Sequence, residues 1–148
     1  MDRTGNEKLS GSIINIQAAE GEKIAEATMV AINLDGYAET ASKKEGLAIA
    51  GCAMRYTDNS AGSAGDVEVP VKRGAFVWNN DGSIKKTDIL KDAYVADETT
   101  VTITAEGSSR AGKILAVDPD GVTVEMYGGR GASADGETGK QEEGGNGE

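Results

Sequence analysis

Residues 113–126 set the strongest constraint on what this chain can fold into. Lys113-Ile114-Leu115-Ala116-Val117 and Val122-Thr123-Val124-Glu125-Met126 flank Asp118-Pro119-Asp120-Gly121. Proline pre-sets φ for the second position of a type I turn, and Asp118 can bond backbone amides ahead of it. Gly121 tolerates the left-handed conformation that completes a hairpin with a bulge. The segment therefore predicts two antiparallel strands joined by a tight turn.

Other segments follow the same pattern. Thr100-Val101-Thr102-Ile103-Thr104 alternates at period two, which predicts a strand with Val101 and Ile103 on one face and the threonines on the other. Asp66-Val67-Glu68-Val69-Pro70-Val71 predicts a second strand with its valines inward. Pro70 cannot donate a ladder hydrogen bond, so this strand should run along an edge or carry a local break. Leu34-Asp35-Gly36 and Asn79-Asn80-Asp81-Gly82 read as turns. The expected architecture is all-β, a small barrel or sandwich. At most one or two short helices are expected, at Glu20–Met29 and at Thr87–Ala93 with Thr87 as N-cap.

Composition limits what such a body can do. Of the 148 residues 38% are hydrophobic, and the aromatic set is Phe76, Trp78, Tyr37, Tyr56, Tyr94 and Tyr127. Ala, Val and Gly fill a modest core, so contacts between copies are expected to add stability. The net charge of −10, with 25 acidic against 15 basic residues, opposes nucleic-acid binding, which draws on Lys and Arg to neutralise phosphates. No stretch approaches the roughly 20 apolar residues of a membrane span. Met1–Lys8 lacks the apolar run of a secretory signal, so a soluble chain made in the cytoplasm is expected. Cys52, the single cysteine, lies in Leu47-Ala48-Ile49-Ala50-Gly51-Cys52-Ala53 and reads as a small buried hydrophobe.

Three divisions follow. Residues 128–148 contain eight glycines in 21 positions and no aliphatic side chain larger than alanine. They read as a flexible acidic tail that cannot offset its ordering entropy. Residues 1–12 read as a loose arm. Residues 13–127 form the β-rich body.

No motif carries convincing chemistry. Gly107-Ser108-Ser109-Arg110-Ala111-Gly112-Lys113 has the G-x-x-x-x-G-K spacing of a phosphate-binding loop, but Ile114 stands where Ser or Thr should hold magnesium. The turn at Asp118 follows too soon for the required helix, so a loop between strands is expected. Asp118-x-Asp120-Gly121 lacks the further ligands of a calcium loop. With no histidine, histidine-dependent triads and zinc sites are excluded. The body's acidic groups read as a solvated surface, so the expectation is no enzyme, no metal and no cofactor.

Two apolar segments have both a core and an interface reading. Ile13-Ile14-Asn15-Ile16 is either the first core strand or an arm that adds a strand to a neighbour's sheet. Phe76-Val77-Trp78 puts both aromatics on one strand face, as core filler or as interface anchors.

The order of further segments resembles a known family. Asp58-Asn59-Ser60-Ala61-Gly62-Ser63-Ala64-Gly65-Asp66 leads into Val67-Glu68-Val69, then Arg73-Gly74-Ala75-Phe76-Val77-Trp78-Asn79-Asn80. Asp88-Ile89-Leu90-Lys91-Asp92-Ala93-Tyr94-Val95 through Val101 follows, then Arg110-Ala111-Gly112-Lys113-Ile114 and Val117 through Val124. Over residues 28 to 127 this resembles the capsid cement or head-decoration proteins of tailed phages, similar in role to the phage lambda head-decoration protein. The resemblance implies a β-tulip-like body on the outer capsid surface that clamps neighbouring major capsid protein subunits. It implies a homo-oligomer, with a trimer favoured and dimers also known. Ile13, Ile14, Ile16, Phe76, Trp78 and Tyr94 are the expected interface residues. The alternative expectation is a ligand-binding β-module, for example a carbohydrate-binding one, displayed on the virion surface.

Overall fold

A computed structural model of the chain describes residues 12–127. The expected tail, 128–148, and the expected arm apart from Ser12 lie outside these residues. The strands in chain order are β1 (Ile13–Gln17), β2 (Lys23–Ile24), β3 (Met29–Ile32), β4 (Ala38–Thr40), β5 (Ala48–Ala53) and β6 (Thr57–Asp58). Then come β7 (Glu68–Lys72), β8 (Gly74–Asn80), β9 (Asp92–Asp97), β10 (Thr100–Thr102), β11 (Arg110–Asp118) and β12 (Gly121–Met126). The architecture is all-β, as the punctuated alternation predicts.

The strands form two main bodies that meet across one core. β1-β7-β5-β3-β4 make an antiparallel five-stranded sheet. β10-β8-β12-β11-β9 close into a barrel in which only the β8–β10 pairing is parallel. Closure removes every sheet edge from the barrel. The five-stranded sheet curls until Ala18, just past β1, bridges Ala38 of β4. β2 and β6 pair as a short separate ribbon.

The two faces of β3 explain how the bodies join. Met29 and Ala31 enter the barrel core with Ile49 of β5, beside Trp78, Ile114, Val122 and Met126. Val30 points the other way and packs with Ile16, Ile24, Val69 and Val71. β5 is also buried on both sides, which is why Leu47–Ala53 reads as an unbroken apolar run. Its register slips between Val30 and Ala31, leaving Ala50 as the extra residue of a bulge. Gly51 follows with φ +154, and a Cβ there would collide with the Lys72 carbonyl oxygen.

The hairpin forms where the turn residues place it, with Asp118 opposite Gly121 and φ +145 at Gly121. The register irregularity lies further along, at Leu115. Val69 and Val71 are fully buried and Val67, before β7, half-buried. β7 is not an edge strand, since it lies between β1 and β5. The Pro70 effect is a local break: Met54 N–H donates to its carbonyl at 2.9 Å, and the β5–β7 pairing stops at Ala53–Val71. Thr102 is buried, contrary to the expected outward threonines, because its hydroxyl joins Ser83 at 3.2 Å beneath the following loop.

Neither expected helix forms. Residues 20–29 turn at Gly21, pair Ile24 in β2 and pass through Ala27 at φ +66, a sequence of conformations incompatible with a helix. At Thr87 there is one 3₁₀ turn, Lys86–Asp88, because Ile89 and Leu90 leave the helical region at once.

Gly51→Ala is expected to destabilise the body by about 2–4 kcal/mol through overpacking against β7, a Tm loss of roughly 10 °C. Thermal unfolding followed by circular dichroism checks this, and an unchanged midpoint would contradict the close β5–β7 approach.

Candidate docking surface

The segments that invited a chemical reading are structural. Gly107 lies in a turn, and β11 begins at Arg110, so no helix follows the loop. The Ser109 hydroxyl donates to Lys44 O and accepts from Leu47 N–H at 3.0 Å, tying the loop to the sheet. Asp118–Gly121 is the hairpin turn. Among the described residues no group of three or more His, Cys, Asp or Glu side chains is placed to hold a metal ion. Burial, then the nearby Glu26 charge, pushes the Cys52 thiol up, so it is a poor nucleophile. One shallow cleft of about 260 Å³ lies between the β3–β4 turn and the 44–47 loop. It is lined by Asn33, Leu34, Glu39, Lys44, Glu45 and Leu47 among others, with no aromatic ring for a sugar to stack on.

Of the six expected interface residues, Trp78 and Ile16 belong to the core. Trp78 is 5% exposed, and its indole N–H donates to the Met126 sulfur at 3.2 Å. Phe76 is half-buried, its ring 6.2 Å from that of Trp78 between centroids. Ile14 packs against the second core, while Ile13 on the opposite face of β1 is half-buried. Tyr94 of β9 is also half-buried, opposite Arg110 and Thr102. These positions do not form one surface.

A different set does come together on the outside of the barrel. The β11 register jumps from Ile114–Val124 to Ala116–Thr123, so Leu115 and Ala116 together oppose Thr123. Thr123 lies opposite Val77 of β8. Beyond the other side of β11, Leu90 N–H donates to Ile114 O at 2.7 Å and Ile114 N–H to Lys91 O at 2.9 Å. These bonds bring Leu90 alongside Leu115. The resulting row, Leu90, Leu115, Ala116, Thr123 and Val77, exposes 65% of Leu90, 38% of Leu115 and 58% of Val77. Lys113 and Glu125, opposite each other in the next row, begin a charged rim.

Leu90 is held in the left-handed region, φ +76, where a non-glycine residue costs about 1–2 kcal/mol. The neighbouring bonds impose it. Asp88 accepts Lys85 N–H at 2.8 Å and the Lys91 ammonium at 3.2 Å, and Lys91 N–H returns to Asp88 O at 2.9 Å. Backbone strain is retained only where surroundings over-determine it, and such places cluster at functional surfaces. Sequence reasoning missed this row because nothing in leucine chemistry announces a positive φ or a bulge.

No family model matches the chain, and neither a curated protein nor a solved structure matches it.

Backbone and side-chain hydrogen bonds hold two turn carboxyls below the ordinary carboxylate value of 3.8. For Asp88 the Lys85 amide contributes most, and for Asp97 the Thr99 amide. Groups with depressed folded pKa values stabilise fully above that value and lose their contribution as pH falls through the folded one. This contribution should therefore be constant near neutral pH and decline below about pH 4. Urea midpoints measured against pH check the slope, which Asp88→Asn should reduce while accelerating Leu90 amide exchange.

Proposed function

We propose that this protein is a capsid cement subunit of a tailed phage, bound to the outer surface of the shell and bridging neighbouring major capsid subunits. The observation that carries the reading is the apolar row from Leu90 through Leu115 to Val77, displayed on a closed barrel and fixed by a strained backbone. A rigid surface loses little conformational entropy on docking, so modest apolar contact becomes usable affinity. Many copies on one lattice multiply such contacts through effective concentration. The charge of −10 keeps the chain from competing for packaged DNA. The resemblance to cement proteins spans residues 28 to 127, the stretch in which this row lies.

The purified chain is expected to saturate expanded, decoration-free shells of its phage at a fixed ratio and to raise their melting temperature. Val77→Asp and Leu115→Asp should each weaken binding about tenfold or more, from roughly 1.5 kcal/mol of lost apolar burial and a desolvated charge. The midpoint of the isolated protein should change little. A wild-type chain that leaves such shells bare at micromolar concentration would overturn the reading, and full binding by both variants would remove this face from it.

A further inference from the structure

β7 and β8 follow each other almost without a break, carrying residues 68–80 from the sheet into the barrel. One flank of this long strand faces β5 along β7 and β12 along β8, and β5 and β12 come together beside it. The opposite flank is covered at its two ends, by β1 along β7 and by β10 at Asn79 and Asn80. Barrel closure leaves no free strand, yet β8 outruns β10. Among the described residues no strand pairs with Gly74–Trp78 on that flank.

Hydrogen-bond phase shows which groups point into this gap. Arg73 N–H donates to Ser12 O at 2.6 Å on the β1 side, and Asn79 N–H to Thr99 O at 2.9 Å on the β10 side. Successive residues of a strand direct their backbone groups to opposite flanks, so Ala75 and Val77 aim theirs the same way as Arg73 and Asn79. Outward backbone groups at a sheet margin are a template for an added strand. Phe76, between the two, shares the core face with Trp78. It stays half-buried while Trp78 is 5% exposed, so apolar surface is left uncovered beside the gap.

We propose that Leu9-Ser10-Gly11 docks in this gap on its own barrel, as a continuation of β1. The β1–β7 register is unbroken from Gln17–Glu68 to Ile13–Lys72. Continued outward, it sets Gly11 opposite Gly74, Ser10 opposite Ala75 and Leu9 opposite Phe76. Ser10 then exchanges both backbone bonds with Ala75. Leu9, the only large aliphatic residue between Asp2 and Ser12, takes the inward face beside the Phe76 ring. Gly11 and Gly74 meet where the strand passes from sheet to barrel, with no side chain on either. The β9–β10 turn reaches β8 through Thr99, so the added strand ends at Lys8. The barrel of the same copy is the target because Ser12 is already bonded to Arg73. The arm therefore begins at the gap, and a tethered segment outcompetes one from a second copy through effective concentration. The contact ties sheet to barrel through backbone groups and is independent of shell docking.

Nuclear magnetic resonance of the full chain is expected to show an Hα–Hα contact between Leu9 and Phe76, which face each other as a pair without ladder bonds. Amides of Ser10 and Ala75 should exchange slowly and that of Leu9 fast. In a mixture of differently isotope-labelled copies, no such contact should join one copy to another. Ser10→Pro removes the amide that meets Ala75 O. It should abolish the contact, speed Ala75 exchange about tenfold or more and lower the Tm by roughly 5 °C. Thr4→Pro, ahead of the docked residues, should change none of these. Absence of the Leu9–Phe76 contact, fast exchange at Ala75 in the wild type, or a contact found only between copies would overturn the proposal.

Discussion

Met29, Ala31 and Ile49 reach from the open sheet into the barrel core, and the rest of the molecule is arranged around that insertion. A barrel of five short strands encloses little apolar volume on its own. Side chains from β3 and β5 complete that core, each large one contributing about 1.5–3 kcal/mol when fully buried. The opposite faces of the same two strands bury Val30, Ala50 and Ala53 against Val69 and Val71. These two strands thus have almost no solvent face. At Gly51, where β5 runs against the Lys72 carbonyl of neighbouring β7, even one methyl group has no room.

This constraint also explains which parts of the structure were legible in the sequence. The β11–β12 hairpin depends on local turn chemistry, so Asp118-Pro119-Asp120-Gly121 announced it. The inward aromatics of β8 and the valines of β7 were legible because one face of each strand is buried and the period is two. β3 and β5 lack that period, since both faces are buried, and their partner layer is set by distant residues. Pro70 correctly signalled an interrupted ladder, but the sequence could not say that β1 covers the other side of β7. The helical reading of Glu20–Met29 failed because Ile24 is needed in the second core, and tertiary packing outweighs weak propensity.

The apolar surface was the least legible part. Trp78 and Ile16 attracted attention by residue type, yet their size is what the core needs. The displayed residues are ordinary aliphatics whose exposure comes from backbone geometry. A one-residue bulge turns Leu115 outward with Ala116, and a left-handed Leu90 is pinned against β11 by Asp88 and Lys91. Register and φ are collective properties, and no single side chain encodes them.

The position of the apolar row has a physical consequence. The row belongs to the barrel, whose closure leaves no free strand to pair, so only its side chains can meet another surface. Burying such side chains is non-directional and tolerates small shifts of the surface they meet. The row itself is held stiffly, because Leu90 is pinned by Asp88 and Lys91 and the barrel core beneath it is completed by the doubly buried strands β3 and β5.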